Sequence, residues 1–85
     1  MTLPAHFKIE IASVSDRDEC VAEVWYGDEL FAELRQEPDG IYVQLYVPPS
    51  RVRWDLPIED VIAVLNTARE RLRAEPVPEP EPARK

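Results

Sequence analysis

Little in this chain can act as a covalent or metallic staple. Its 85 residues include one cysteine, one histidine and two glycines. An intramolecular disulfide is therefore out of reach, and a Cys/His zinc site has too few ligands. No apolar run approaches the ~18 residues that a membrane-spanning helix needs, and the first residues show no basic and then apolar leader pattern. Bases are scarce as well: ten Lys and Arg stand against seventeen Asp and Glu, for a net charge of −7. Residues 1–50 hold ten acids and three bases, whereas residues 51–74 hold five arginines and four acids. Phosphate contacts need clustered cations, so the N-terminal half is ill suited to nucleic acid or anionic membrane. These shortages predict a cytoplasmic protein with no membrane partner and no cofactor, with Cys20 a small apolar side chain in a reducing compartment. Such a chain forms one domain at most, and a core of this size contributes only ~3–5 kcal/mol of net stability.

What the chain does have is alternation. Cys20 to Tyr26, Leu30 to Gln36 and Ile41 to Val47 each switch between apolar and polar residues with period two and are rich in β-branched and aromatic side chains. One parity set is Ala22, Val24, Leu30, Ala32, Leu34, Val43, Leu45 and Val47; the other is Glu23, Trp25, Phe31, Glu33, Arg35, Tyr42, Gln44 and Tyr46. A two-residue Asp39-Gly40 hairpin loop keeps both sets intact by pairing Leu34 with Leu45 and Glu33 with Tyr46. A two-residue Gly27-Asp28 loop would mix the sets. A three-residue loop, or a bulge, is therefore expected there, with Val24 opposite Ala32 and Trp25 opposite Phe31.

Phe7 to Ile11 alternates cleanly and predicts a first strand after a loose start through His6; the polar link from Ser13 to Glu19 reverses the chain. Pro48-Pro49 ends the fourth strand, and Arg51 to Asp55 is extended, with room for a short fifth. Pro57, Glu59 and Asp60 then open a helix whose Ile58, Val61, Ile62, Leu65, Ala68 and Leu72 form one apolar stripe. Residues 75–85, with prolines at alternate positions from Pro76 to Pro82, predict an extended Pro/Glu-rich tail outside a domain of residues 1–74. The expected fold is α+β and two-layered: a four-stranded antiparallel meander packed on one C-terminal helix. Ile58, Ile62, Leu65 and Leu72 are expected to lie over Ile9, Ile11, Val24, Leu34, Val43 and Leu45.

That arrangement leaves Trp25, Phe31, Tyr42 and Tyr46 on the opposite face, interleaved with Glu23, Glu33, Arg35 and Gln44. Aromatic cross-strand pairs can simply stabilise a wet sheet. A contiguous aromatic patch rimmed by charge also marks protein interfaces. Chemistry is not expected. His6 lies in the loose start, Cys20 has no histidine partner near it, and Gly27 and Gly40 are lone turn glycines rather than a phosphate loop. Facing Glu23 and Glu33 are read as carboxylates leaning into water, and the turn acids lack the spacing of a calcium loop.

Trp25-Tyr26-Gly27-Asp28-Glu29-Leu30-Phe31-Ala32-Glu33, followed by Tyr46-Val47-Pro48-Pro49, Trp54 and a helix from Leu56, resembles a group of short bacterial proteins with no assigned function. The resemblance covers roughly residues 7 to 73 and implies no activity. Gly27 stands where that pattern has Asp or Asn. The expected role is a small acidic protein-interaction module of the inhibitor, immunity or adaptor type. It would meet a basic partner through Trp25, Phe31, Tyr42, Tyr46, Glu23, Glu33 and Arg35. Two alternatives stand beside it. One is a nucleic-acid contact through Arg51, Arg53 and the helix-end arginines; the other is a structural homodimer.

Overall fold

A computed structural model describes residues 2–13 and 20–75. Four strands, β1 (Phe7–Ser13), β2 (Cys20–Tyr26), β3 (Glu29–Glu37) and β4 (Gly40–Leu45), precede one helix, α1 (Ile58–Arg73). The strands form one antiparallel sheet in the order β1-β2-β3-β4, the meander the alternation predicts. Arg51 to Asp55 forms no fifth strand and belongs to an irregular loop. No helix among the described residues is long and apolar enough to cross a membrane. The link over 14–19 and the tail from residue 76 lie outside the described residues.

The chain start is tied down. The His6 carbonyl accepts a hydrogen bond of 2.8 Å from the Gly27 amide, and Leu3 packs against the core. His6 itself holds a left-handed φ of 74°, a conformation costly for a residue with a Cβ. Gly27 beside it has φ 62°, where lacking a Cβ removes that cost.

Two registers differ from expectation, each for a local reason. The β3–β4 turn centres on Pro38-Asp39, with Glu37 opposite Gly40, Leu34 opposite Val43 and Glu33 opposite Gln44. Proline fixes φ near −65° and suits the first central position of an ordinary turn, which moves the loop one residue upstream. The slip relative to Leu34–Leu45 is two residues, so the faces survive. Between β2 and β3 the sheet has both a two-residue Gly27-Asp28 loop and a bulge. Val24 faces Ala32 as expected, but Trp25 faces Leu30, and Phe31 is the extra residue.

The core is Phe7, Ile9, Ala22, Val24, Phe31, Ala32 and Leu34 from the sheet and Val64, Ala68 and Leu72 from the helix. Ala22, Ala32 and Ala68 are wholly buried; small side chains at a helix–sheet contact let the two backbones approach closely. The helix lies chiefly over β2, then β3 and β1, with β4 at the margin of its footprint. Its buried stripe is Val64, Ala68 and Leu72, flanked by half-buried Val61 and Leu65. Ile58 and Ile62, expected to form part of the lid, and Ile11, Val43 and Leu45, expected beneath it, are exposed. At the far end of α1, the buried Gln36 side chain donates to the carbonyls of Leu72 and Glu75, satisfying acceptors that a helix C-terminus leaves open. Cys20 sits half-buried beside the same end, its thiol 3.7 Å from a Glu75 carboxylate oxygen.

Leu72 is fully buried and contributes to a core with little surplus stability. Leu72→Ala is expected to cost about 2–5 kcal/mol, read as a lowered thermal midpoint or loss of folding. A midpoint unchanged within a degree or two would show that this seam does not hold the domain together.

Candidate functional site

The face of the sheet turned away from α1 is the candidate site. Its central row is set by register: Glu10 lies opposite Glu23, and Glu23 opposite Glu33, across β1, β2 and β3, with Gln44 completing the row on β4. Residues directly opposite in an antiparallel pair carry their side chains on the same face ~4.5–5.5 Å apart at Cβ. Three carboxylates therefore stand side by side. Both alternation and register predict the Glu23–Glu33 opposition; the participation of Glu10 depends on the β1–β2 pairing, which the unpatterned link between these strands could not reveal.

On one flank of this row, Lys8 faces Trp25 and Trp25 faces Leu30. The Lys8 ammonium lies 5.8 Å from the Trp25 ring centroid and 3.3 Å from Glu10, and the Trp25 indole N–H points to Glu23 Oε1 at 3.3 Å. On the other flank, Arg35 faces Tyr42; its guanidinium lies 5.7 Å from the Tyr42 ring and 2.9 Å from Glu37. Tyr46 donates its hydroxyl to Glu33 Oε1 at 3.2 Å, and Tyr42 donates to Asp39 at 2.8 Å. Among the described residues, neither Glu23 nor Glu33 is ion-paired with a cation. Their nearest polar partners are the Trp25 indole and the Tyr46 phenol.

Six of the seven residues expected at a binding face thus share it: Trp25, Tyr42, Tyr46, Glu23, Glu33 and Arg35. Phe31 does not. The bulge turns it through the sheet, where it is 5% exposed, and Leu30 takes its place beside Trp25.

Phe31 instead joins an aromatic cluster at the end of the sheet that carries the β2–β3 turn. Its ring meets Phe7 at 6.0 Å and Trp54 at 5.2 Å; Tyr26 meets Phe7 at 5.0 Å, Trp54 at 6.1 Å and His6 at 5.6 Å. All but the tilted His6–Tyr26 pair set ring edges against ring faces, the favourable geometry for aromatic quadrupoles. Trp54 donates its indole N–H to the Tyr46 carbonyl at 2.7 Å, which draws the Pro-rich loop back over the sheet end. Arg51 lies over both Tyr26 and Trp54 and 3.7 Å from Glu29, whose other carboxylate oxygen accepts from the Ser50 hydroxyl. The sequence signal for this cluster was present in Trp54 and Tyr26, but no periodicity links a loop tryptophan to a strand end.

The arginines of the alternative reading are not brought together. Arg51 is held at the β2–β3 turn, and Arg53 pairs with Asp55 at 3.2 Å. Arg69 and Arg73 border the groove beside Gly40 at the opposite end of the sheet, and both pair with Glu70. Among the described residues no group of three or more His, Cys, Asp or Glu side chains is disposed to hold a metal ion.

Two phenols on the open face are held above their ordinary range. For Tyr46 the largest cause is burial, followed by the negative charge of Glu33 and the hydrogen bond to it. For Tyr42 it is the hydrogen bond to Asp39, followed by that carboxylate's charge. A raised phenol pKa means that the fold favours the neutral form. The associated stability is present below the ordinary tyrosine pKa of about 10 and is lost as pH rises through the higher folded value. A spectroscopic titration should accordingly show two late-ionising tyrosines. Glu33→Gln should move Tyr46 only part of the way back, because burial remains. Complete restoration of an ordinary value by Glu33→Gln would mean that charge, not burial, dominates.

No known family model matches the chain, and comparison with curated proteins and with solved structures finds no match to it either.

Proposed function

We propose that this protein is a small interaction module whose open sheet face binds a basic protein or peptide. The observation that carries this reading is the in-register row Glu10–Glu23–Glu33. Like charges directly opposite one another on a sheet work against the pairing, by tenths of a kcal/mol up to about 1 kcal/mol per pair. The fold has hydroxyl and amide side chains available for such positions, as Gln44 at the end of the same row illustrates. A partner presenting Lys or Arg side chains converts this repulsion into attraction. Trp25 and Tyr46 on the side of the row nearer the β2–β3 turn, and Tyr42 on the other side, supply flat apolar surface against which the aliphatic stems and guanidinium planes of such side chains can pack.

The chain's net charge of −7 adds long-range attraction for a cationic partner and raises the encounter rate. An inhibitor, immunity-type or adaptor role fits this chemistry, since each caps or bridges a charged surface without performing a reaction. The module requires no cofactor, and its contacts come from β1 to β4 and the adjoining Tyr46.

The test uses Trp25 as its reporter. Titration of the protein with an arginine-rich peptide should change tryptophan emission, with affinity falling as salt is raised through the range where the screening length drops below ~10 Å. Glu23→Gln/Glu33→Gln should weaken that binding by about tenfold or more, equivalent to ~1.4 kcal/mol or more. Affinity capture from lysate with the wild type and with this double variant should yield different bound proteins. Identical captures by two folded proteins would end the proposal.

A further inference from the structure

The second uncovered surface lies on the helix side of the sheet. Four strands at about 4.8 Å each present a face roughly 19 Å wide, whereas one helix with its side chains is about 10–12 Å across. A single helix seated over β2 therefore leaves the β4 side of that face bare. There Val43, Leu45 and Val47, with Ile58 and Ile62 from the adjoining flank of α1, are 49% to 81% exposed. The two sets are neighbours: a shallow groove of about 180 Å³ is lined by Leu34, Ile41 and Val43 on the sheet and by Leu65, Asn66 and Arg69 on the helix. Ile62 and Ile58 continue that helix flank toward its N-terminus at spacings of three and four residues. Helix and strand run antiparallel here, because Gln36, two residues before the β3–β4 turn, reaches Leu72 near the helix end. Leu45 and Val47 thus lie at the level of Ile62 and Ile58.

The amides of β4 contribute to the same margin. Tyr46 N–H turns inward to Phe31 O. The two-residue alternation of an antiparallel ladder then turns those of Ile41, Val43 and Leu45 outward. An exposed apolar edge strand is a liability that monomeric proteins usually blunt with charge. The other edge, β1, carries Lys8 and Glu10, but residues 40–50 carry no charge at all in a chain that is 32% charged.

We infer that the β4 margin is a homodimer interface, covered in solution by a second copy of this chain related by a two-fold axis. The two helices would lie side by side between two sheets, each finishing the cover that the other lacks. Such a contact is self-complementary, as a two-fold interface must be, because each copy brings one bare strip of sheet and one bare helix flank. The area is sufficient. The five exposed apolar residues offer on the order of 500 Å² per copy, at the upper end for a monomer's largest patch, and two such patches together reach the ~1,000 Å² that a specific interface needs. Charge permits it too. Two chains of net −7 repel, but the acidic row lies on the opposite side of each sheet and the facing strands are neutral. The arrangement is independent of the acidic-face reading and leaves both open faces outward.

Light scattering and sedimentation of the full chain at tens to hundreds of micromolar are expected to give a doubled mass, and the thermal midpoint should rise with protein concentration, as mass action requires of a dimer. Leu45→Glu and Ile62→Glu, both at exposed positions of the single chain, should each return the mass to that of one chain and abolish the concentration dependence. Trp25→Ala, on the opposite face, should leave the dimer intact. If either charged variant does not fold alone, the concentration dependence of the wild-type midpoint still decides. A single-chain mass for the wild type would overturn the inference. So would a dimer that survives both charged substitutions, or one that Trp25→Ala dissociates.

Discussion

Close approach of α1 to β2 and β3 is the constraint on which the rest of the molecule depends. Ala22, Ala32 and Ala68 place no bulk between helix and sheet, and Val24, Val64 and Leu72 fill the remaining space to full burial. An interior packed at crystal-like density has few alternative arrangements, so this seam fixes where the helix sits and how it is rotated. From that position everything else follows. The helix end comes within reach of Gln36, the loop before it folds back so that Trp54 can meet Phe31, and the β4 side of the sheet stays open.

The fold class was legible because alternation and helical periodicity are properties of single segments. Four alternating runs, two turn signals and one apolar stripe are enough to specify a meander with a lid. What escaped depended on the fit between segments. The stripe Ile58, Val61, Ile62, Leu65, Ala68 and Leu72 contains the buried side of the helix, but its geometric centre is not the centre of contact. The small residues on the sheet draw the helix onto Val64 and Ala68 instead, and Ile58 and Ile62 rotate out to the flank. Parity counting likewise assumes an uninterrupted strand. One extra residue at the β2–β3 bulge exchanges Leu30 and Phe31 between faces while leaving every residue from Ala32 to Gln36 in phase. The Asp39-Gly40 signal was real but subordinate to Pro38, whose fixed φ claims the first central position of the turn.

The candidate site was legible to the same degree and for the same reason. Glu23, Trp25, Glu33, Arg35, Tyr42 and Tyr46 share a face because they share a parity, and parity is a local property. Glu10 and Lys8 could be added only once the β1–β2 register was known. Trp54, whose position next to Phe31 closes the end of the core, lies in a loop where no period operates. Its partner Arg51 is drawn to the same place by Tyr26 and Glu29, which separates from the helix end one of the cations that sequence proximity had grouped with it.

The two faces of the sheet present opposite problems to the folded chain. One sets three carboxylates in register, of which Glu10 pairs with Lys8 while Glu23 and Glu33 meet no cation among the described residues, a cost that a cationic neighbour reverses. The other exposes aliphatic surface along an uncharged edge, a cost that burial reverses regardless of charge. Each unfavourable feature could have been removed by an ordinary substitution, glutamine for glutamate on one side or lysine for leucine on the other. Neither substitution would disturb Ala22, Val24 or Leu72. Under the two proposals made above, the open face would select by charge and the β4 margin by shape and apolarity, and the two share no residue.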